Sequence, residues 1–237
     1  MSFSVKRLTK LIGNEVVGKG HAIFIYTITA AIILLLIDLF NNTALEHNFH
    51  TGTFSLLLFV GGFWISSIAF TCLHSKEQSI FYLTIPCSNL EKLLSKLLLT
   101  SIIYVVALSA FYYIISLLAA FENMLVFHIS QVLFNPFDPD VLRTIVYYLV
   151  LQSTFILGSI YFKRSPATKT ILTLAVLVLF FIVFGFIVLN LTTKSSMLPP
   201  IMVISDLMSI LHSTFLITLA PVCWVLSYLK LREAEVR

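Results

Sequence analysis

Charge is the scarcest property of this sequence. Lys, Arg, Asp and Glu make up 11% of its 237 residues, less than half the roughly 25% typical of soluble domains. Apolar residues reach 59%, and no stretch of ordinary globular composition between the apolar runs is long enough for a soluble domain. Cysteine is nearly absent. Cys72, Cys87 and Cys223 form an odd, widely spaced trio, which argues against a disulfide framework or a zinc motif; they read as small apolar residues. No cleavable leader is evident. The start of the chain is polar and mixed, the apolar run after it is too long for a signal peptide, and no small-x-small cleavage pattern follows. The first apolar run is therefore expected to remain in the mature protein. The net charge is +4, but the basic residues flank apolar runs and form no continuous basic face, so nucleic acid is not an expected partner.

Long apolar runs are what the sequence has in plenty. A helix needs about 20 mainly apolar residues to cross the hydrocarbon core. Six stretches qualify: Ala22 to Phe40, Thr53 to Leu73, Lys96 to Ala120, Val141 to Phe162, Thr170 to Leu191 and Leu207 to Leu229. With the N-terminus inside, the cytoplasmic segments hold Lys6, Arg7, Lys10, Lys19, Lys76, Lys92, Lys96, Lys163, Arg164, Lys169, Lys230, Arg232 and Arg237. Only Arg143 and Lys194 fall outside. This bias alternates at every loop, as the positive-inside rule requires, and a miscounted span would break it. The expected fold is an all-α membrane protein with six transmembrane helices and both termini cytoplasmic. Residues 1–20 form an amphipathic N-terminal helix and residues 21–237 the transmembrane domain.

The segments between the spans carry finer signals. Val5, Leu8, Ile12 and Val16 recur at near-helical spacing while Lys6, Arg7, Lys10 and Asn14 fall elsewhere. That pattern predicts a helix lying along the inner membrane surface; the alternative is a basic leader that only sets topology. Between spans two and three, Lys76 to Leu83 predicts a short helix, polar first and apolar later, ended by Pro86. Ser88-Asn89-Leu90-Glu91 then has the spacing of a capping box and starts a helix expected to run unbroken into span three. Ser165 and Pro166 predict a tight hairpin between spans four and five, with Ser165 as cap and Pro166 at the first helical position. The outer segment Phe121 to Asp140 is too apolar for a solvated loop and predicts a short interfacial helix ended by Asn135-Pro136. Pro221 inside span six is expected to free the carbonyl of Ile217 and kink the helix.

Catalytic and cofactor signatures are missing. Gly13 to Lys19 reads G-x-x-x-x-G-K, but Gly20 follows where a P-loop needs Ser or Thr for magnesium, and no strand precedes it. There is no H-E-x-x-H pair, nucleophile elbow or carboxylate pair within the spans. Asp38, His21 and His74 fall near span ends and read as interfacial polar residues, while His212 is left open. Gly62 and Ser66 have the small-xxx-small spacing of close helix packing.

Six spans, an amphipathic N-terminal helix and a structured first cytoplasmic loop together resemble a permease subunit of the type-two ATP-binding-cassette (ABC) exporter family. The local likeness lies in Leu83-Thr84-Ile85-Pro86-Cys87-Ser88-Asn89-Leu90-Glu91-Lys92 followed by Lys96. This is similar to the family run L-P-x-S-x-x-E-K…K, with Ile85 standing where the family has leucine. Phe155 to Lys163 is similar to bacterial members of the group, particularly those of Bacteroidetes. The resemblance implies a bacterial inner-membrane permease that is not itself an enzyme and binds no cofactor. ATP and magnesium would be held by a separate ATPase present in two copies. A second permease subunit, identical or related, would pair with this one among the membrane lipids. The short helix before Pro86 would be the coupling helix, with Lys76, Glu77, Ser79, Phe81 and Tyr82 docking the ATPase. An apolar substrate path between spans two and five of the paired subunits would be lined by Phe63, Trp64, Phe70, Phe180, Phe184 and Phe186. It would suit a lipid-like, amphipathic or other hydrophobic substrate; alternatively these aromatics simply face lipid. The rival readings are an accessory or immunity-type membrane protein without a transport cycle, and an intramembrane enzyme or haem-binding subunit.

Overall fold

The structure is a computed structural model that describes residues 4–18, 28–36, 47–127, 133–194 and 201–236. Among the described residues the chain is helical throughout, with no strand. In chain order the helices are α1 (Val5–Gly18), α2 (28–36), α3 (His47–Ile68), α4 (Lys76–Thr84), α5 (Asn89–Leu98), α6 (Tyr104–Phe127), α7 (Pro139–Tyr161), α8 (Pro166–Lys194) and α9 (Ile201–Val236). A 3₁₀ turn, Thr71–His74, follows α3, and a π turn, Leu99–Ile103, joins α5 to α6. Among the described residues, four stretches are long and apolar enough to cross a membrane: His50–His74, Asn89–Leu125, Pro139–Tyr161 and Pro166–Ile187. These make it a membrane protein by length and composition. They correspond to the second to fifth expected spans. Of the first, Ala22 to Phe40, residues 28–36 are described and helical; Asp38 and His21 lie outside the described residues. The sixth expected span lies within α9, whose helix runs through Pro221.

The contacts divide the chain into two units. One holds Met1–Ile65 and Ile85–Leu149, the other Ser66–Thr84 and Val150–Arg237. The core of the first unit is aromatic. Phe54 and Leu58 of α3 meet Tyr112 of α6, Phe134, and Val141 and Tyr148 of α7. The rings of Phe54, Tyr112 and Phe134 lie 4.8–5.8 Å apart, centroid to centroid, within the range of favourable aromatic pairs. The Phe134 N–H donates to Ser116 Oγ at 2.9 Å, which satisfies a buried amide outside any helix. Phe121 to Phe127 continues α6 and is not part of a separate interfacial helix. No proline or glycine lies between Ala120 and Phe127, so the helix has no reason to stop at Ala120. The chain then turns at Asn135, whose side chain accepts from the Phe137 N–H (3.1 Å). Asp138 accepts from the Asp140 N–H (2.9 Å) and caps α7.

Two tyrosines pin the middle of this unit. The Tyr148 hydroxyl donates to the Thr100 carbonyl inside the π turn at 2.7 Å, and the Tyr104 hydroxyl donates to the Leu57 carbonyl at 2.9 Å. A π turn disturbs the regular i→i−4 ladder; in a hydrocarbon setting the carbonyls involved need internal donors, and Tyr148 supplies one. Gly61 and Gly62 leave room for these rings on α3: a methyl group at Gly62 would run into the Tyr148 ring.

In the second unit, buried hydroxyls are satisfied locally. Ser153, Thr154 and Ser159 donate to the carbonyls of Val150, Leu151 and Ile156, and Thr170 to that of Pro166, all at 2.6–2.7 Å. Gly158 of α7 sits directly against Thr170 of α8, so the two helices approach closely at a small residue. Pro166 opens α8. Ser165 has φ 53°, in the left-handed region rather than the extended backbone usual for a cap. The reversal between Tyr161 and Pro166 is so short that a residue must take this costly conformation.

Replacing Gly62 with alanine is expected to destabilise the protein by about 1–3 kcal/mol through overpacking against Tyr148. Gly185, which has open space around it, should tolerate alanine. Thermal melts of both variants in mild detergent check this; equal midpoints would mean the Gly62–Tyr148 contact does not limit packing.

Candidate functional site: the α4 helix and the α1–α5 clamp

In the second unit, α4 begins after Ser75. Ser75 has an extended backbone, and its carbonyl takes the Ser79 N–H at 2.9 Å, the first bond of the helix. Ile85 and Pro86 lie beyond its last residue, Thr84, in agreement with the helix-breaking effect of a proline on the residue before it. Glu77 is exposed, Ile80 is 64% exposed, and Ser79 is half-buried. Tyr82 points inward and meets the fully buried Phe70 edge-to-face, 6.5 Å between centroids. Two residues before α4, His74 Nε2 lies 2.8 Å from the Ser159 carbonyl of α7. A carbonyl only accepts, so Nε2 carries the proton in this contact. An exposed face with Glu77 and Ile80 is thus anchored through Phe70–Tyr82 and His74–Ser159.

In the first unit, α1 is fastened to α5 around Glu91. The Ser88–Glu91 capping box is formed: Ser88 Oγ accepts from the Glu91 N–H at 3.2 Å, and Glu91 Oε2 accepts from the Ser88 N–H at 2.8 Å. The other carboxylate oxygen, Oε1, accepts from the Ser4 N–H at 2.6 Å and lies 3.3 Å from Arg7 Nη2. A second pair, Lys96 to Glu15 at 2.7 Å, joins the later parts of the same helices. Leu8 is buried on this side of α1, and Glu91 and Lys92 are buried on α5. The helical stretch Asn89–Leu125 has 37 residues, about 55 Å at 1.5 Å per residue against a core of about 30 Å. Glu91 therefore belongs to an end that projects beyond the hydrocarbon. The Ser88 N–H holds the Glu91 carboxyl below the ordinary carboxylate value. Burial opposes that shift, and the Ser4 N–H and Arg7 reinforce it.

The sequence-derived site residues fall into different settings. Glu77 and Ser79 share α4 with Tyr82, whose ring is committed to Phe70; Lys76 and Phe81 are on the same helix, but their side chains lie outside the described set. Phe63 stacks on Tyr148 with centroids 6.1 Å apart and so helps build the first unit. Trp64, Phe180, Phe184 and Phe186 are 56–67% exposed, and Phe180 and Phe184 stack on each other at 6.3 Å. The Ser4, Arg7 and Glu15 partners of α5 have no spacing signal in the sequence, because their contacts cross most of a hundred residues of chain. Among the described residues no three His, Cys, Asp or Glu side chains come together to hold a metal ion.

No protein-family model, curated protein or solved structure matches this chain.

Because the Glu91 carboxyl is depressed in the folded state, its contribution is complete above the unfolded carboxylate pKa and is lost as pH falls through the lower folded value. Protection of the α1 amides, taken relative to the unstructured exchange rate at the same pH, is expected to hold from neutrality to about pH 5 and to fall in stronger acid. Glu91→Gln should show fast exchange already at neutral pH. Ser88→Ala should cost about 1 kcal/mol of helix-cap stability. If α1 exchanges equally fast in wild type and Glu91→Gln at neutral pH, the carboxylate does not hold α1.

Proposed function

We propose that this chain is the transmembrane permease subunit of an ABC exporter in a bacterial inner membrane. It would have six spans and both termini in the cytoplasm, and would couple ATP hydrolysis by a separate ATPase to export of a lipid-like, amphipathic or other hydrophobic substrate. The observation that carries the reading is α4. It is a short helix between two membrane-length helical stretches, with an exposed Glu77–Ile80 face and a buried anchor through Tyr82 and Phe70. A helix of this kind can take a push from a partner and pass it on. His74 links its start to the Ser159 carbonyl of α7, so a displacement of α4 loads a spanning helix directly. This is how packed helices shift between discrete arrangements.

In this reading α4 is the coupling helix and α1 the interfacial connecting helix, tied to the projecting end of α5. Two ATPase copies hold ATP and magnesium, and this chain binds neither. A second permease subunit, identical or related, completes the pathway. The support for a hydrophobic cargo is the exposure of Trp64 in the first unit and of Phe180, Phe184 and Phe186 in the second, aromatic side chains that add no charge to a path through hydrocarbon.

The test is a mild-detergent pull-down of the tagged chain from its native membrane, with mass spectrometry of what accompanies it. A stoichiometric ATPase carrying a true P-loop is expected, together with any second permease. Glu77→Lys combined with Ile80→Asp should reduce ATPase recovery at least several-fold while membrane insertion persists, whereas Tyr82→Phe should leave recovery intact. Reproducible absence of any ATPase from intact protein would instead favour an accessory or immunity-type membrane protein with no transport cycle.

A further inference from the structure

The reversal between α7 and α8 joins two helices that are each of membrane-crossing length and composition. Only Phe162, Lys163, Arg164 and Ser165 lie between them. A turn this short between two spans has to sit at the boundary between hydrocarbon and water, at the depth of the lipid headgroups. Lys163, Arg164 and Lys169 are all exposed there. The Lys169 ammonium lies 5.9 Å from the centre of the Phe162 ring. The last part of α9 reaches the same place: Lys230 Nζ lies 5.7 Å from the centre of the Tyr161 ring, and the Tyr161 and Phe162 rings meet edge-to-face at 5.5 Å. The result is a platform of two aromatic rings with cations at its border.

The acids nearby do not balance these cations. Glu233 pairs with Lys230 at 2.7 Å. Among the described residues Lys163, Arg164 and Lys169 make no ion pair. Arg7, Lys96 and Arg143, by contrast, each have a carboxylate within 3.5 Å, although Lys6 and Lys10 of α1 are exposed without an ion pair among the described residues. Setting orientation requires only that positive charge be present on one side of a span; it does not require that Lys169 and Lys230 each lie over an aromatic ring at headgroup depth. Lysine and arginine beside interfacial aromatic rings suit a phosphate held at the membrane surface, with the rings against the glycerol region.

We propose that the α7–α8 turn and the adjoining part of α9 form a binding site for the phosphate of an anionic phospholipid. Lys163, Arg164 and Lys169 would meet the phosphate, and Tyr161 and Phe162 the glycerol region. The site does not rest on the export reading and would serve an accessory membrane protein equally.

The experiment uses the full chain in nanodiscs, with phosphatidylglycerol or phosphatidylcholine as the added lipid and inorganic phosphate as a third, soluble probe. The readouts are lipid retained after delipidation, by native mass spectrometry, and the shift in melting temperature. Phosphatidylglycerol should be retained and should raise the melting temperature; phosphatidylcholine and inorganic phosphate should do neither. Each cation removed is worth roughly a five-fold loss of affinity, so Lys163→Gln, Arg164→Gln and Lys169→Gln together should weaken retention by about two orders of magnitude. Arg143→Gln should change nothing. Because the triple variant could also alter insertion, wild-type protein provides an independent reading: phosphatidylglycerol retention should fall in high salt. Equal retention of both lipids, salt-insensitive binding, or unchanged binding by a correctly inserted triple variant would overturn the proposal. An equal response to inorganic phosphate would assign the site to a free anion and overturn the lipid assignment.

Discussion

In hydrocarbon every backbone N–H and C=O must find its partner within the protein, and most of the architecture follows from that constraint. It explains why the described chain is helical throughout and why its polar side chains are bonded so locally. Ser153, Thr154, Ser159 and Thr170 return their hydroxyl protons to carbonyls three or four residues earlier. Where the regular ladder is disturbed, at the π turn between α5 and α6, a hydroxyl from another helix fills the gap: Tyr148 donates to the Thr100 carbonyl. That bond in turn demands space, and Gly62 provides it. A single irregularity in one helix thus fixes a tyrosine on a second and a glycine on a third.

Charge obeys the same constraint from the other side. Excluded from the hydrocarbon, it collects at the helix ends, where it does mechanical work. Around Glu91 it ties the amphipathic α1 to the projecting end of α5. A carboxylate with three donors aimed at it tolerates burial that an unpartnered one would not. At the α7–α8 turn Lys163, Arg164 and Lys169 are exposed and make no ion pair among the described residues, while Lys230 of α9 is paired with Glu233. In the second unit α4 is short, anchored through Phe70–Tyr82 and His74–Ser159, and exposed at Glu77 and Ile80.

Membrane character and the helices of α3, α6, α7 and α8 were legible in the sequence, because twenty apolar residues in a row have few other destinations. The start of α5 was legible from Ser88 and Glu91, since a cap is a contact between residues three apart. So was the end of α4, because Pro86 constrains the residue before it whatever surrounds it. The continuation of α6 through Phe127 was misjudged: an apolar segment expected beyond a span can equally be the same helix going on, and only a breaker distinguishes them.

What escaped the sequence is which side chains meet. Phe70, Phe63 and Phe180 read alike as apolar aromatics, yet Phe70 is sealed against Tyr82, Phe63 stacks on Tyr148, and Phe180 stays exposed. Tyr82 looked as available as Glu77. The pairing of Arg7 with Glu91 and of Glu15 with Lys96 had no local signature. Helix formation and capping are settled among residues a few positions apart, so composition and spacing suffice for them. Burial and long-range pairing depend on the relative rotation of whole helices, and that is set by the summed packing of many contacts such as Gly62 on Tyr148 and Gly158 on Thr170.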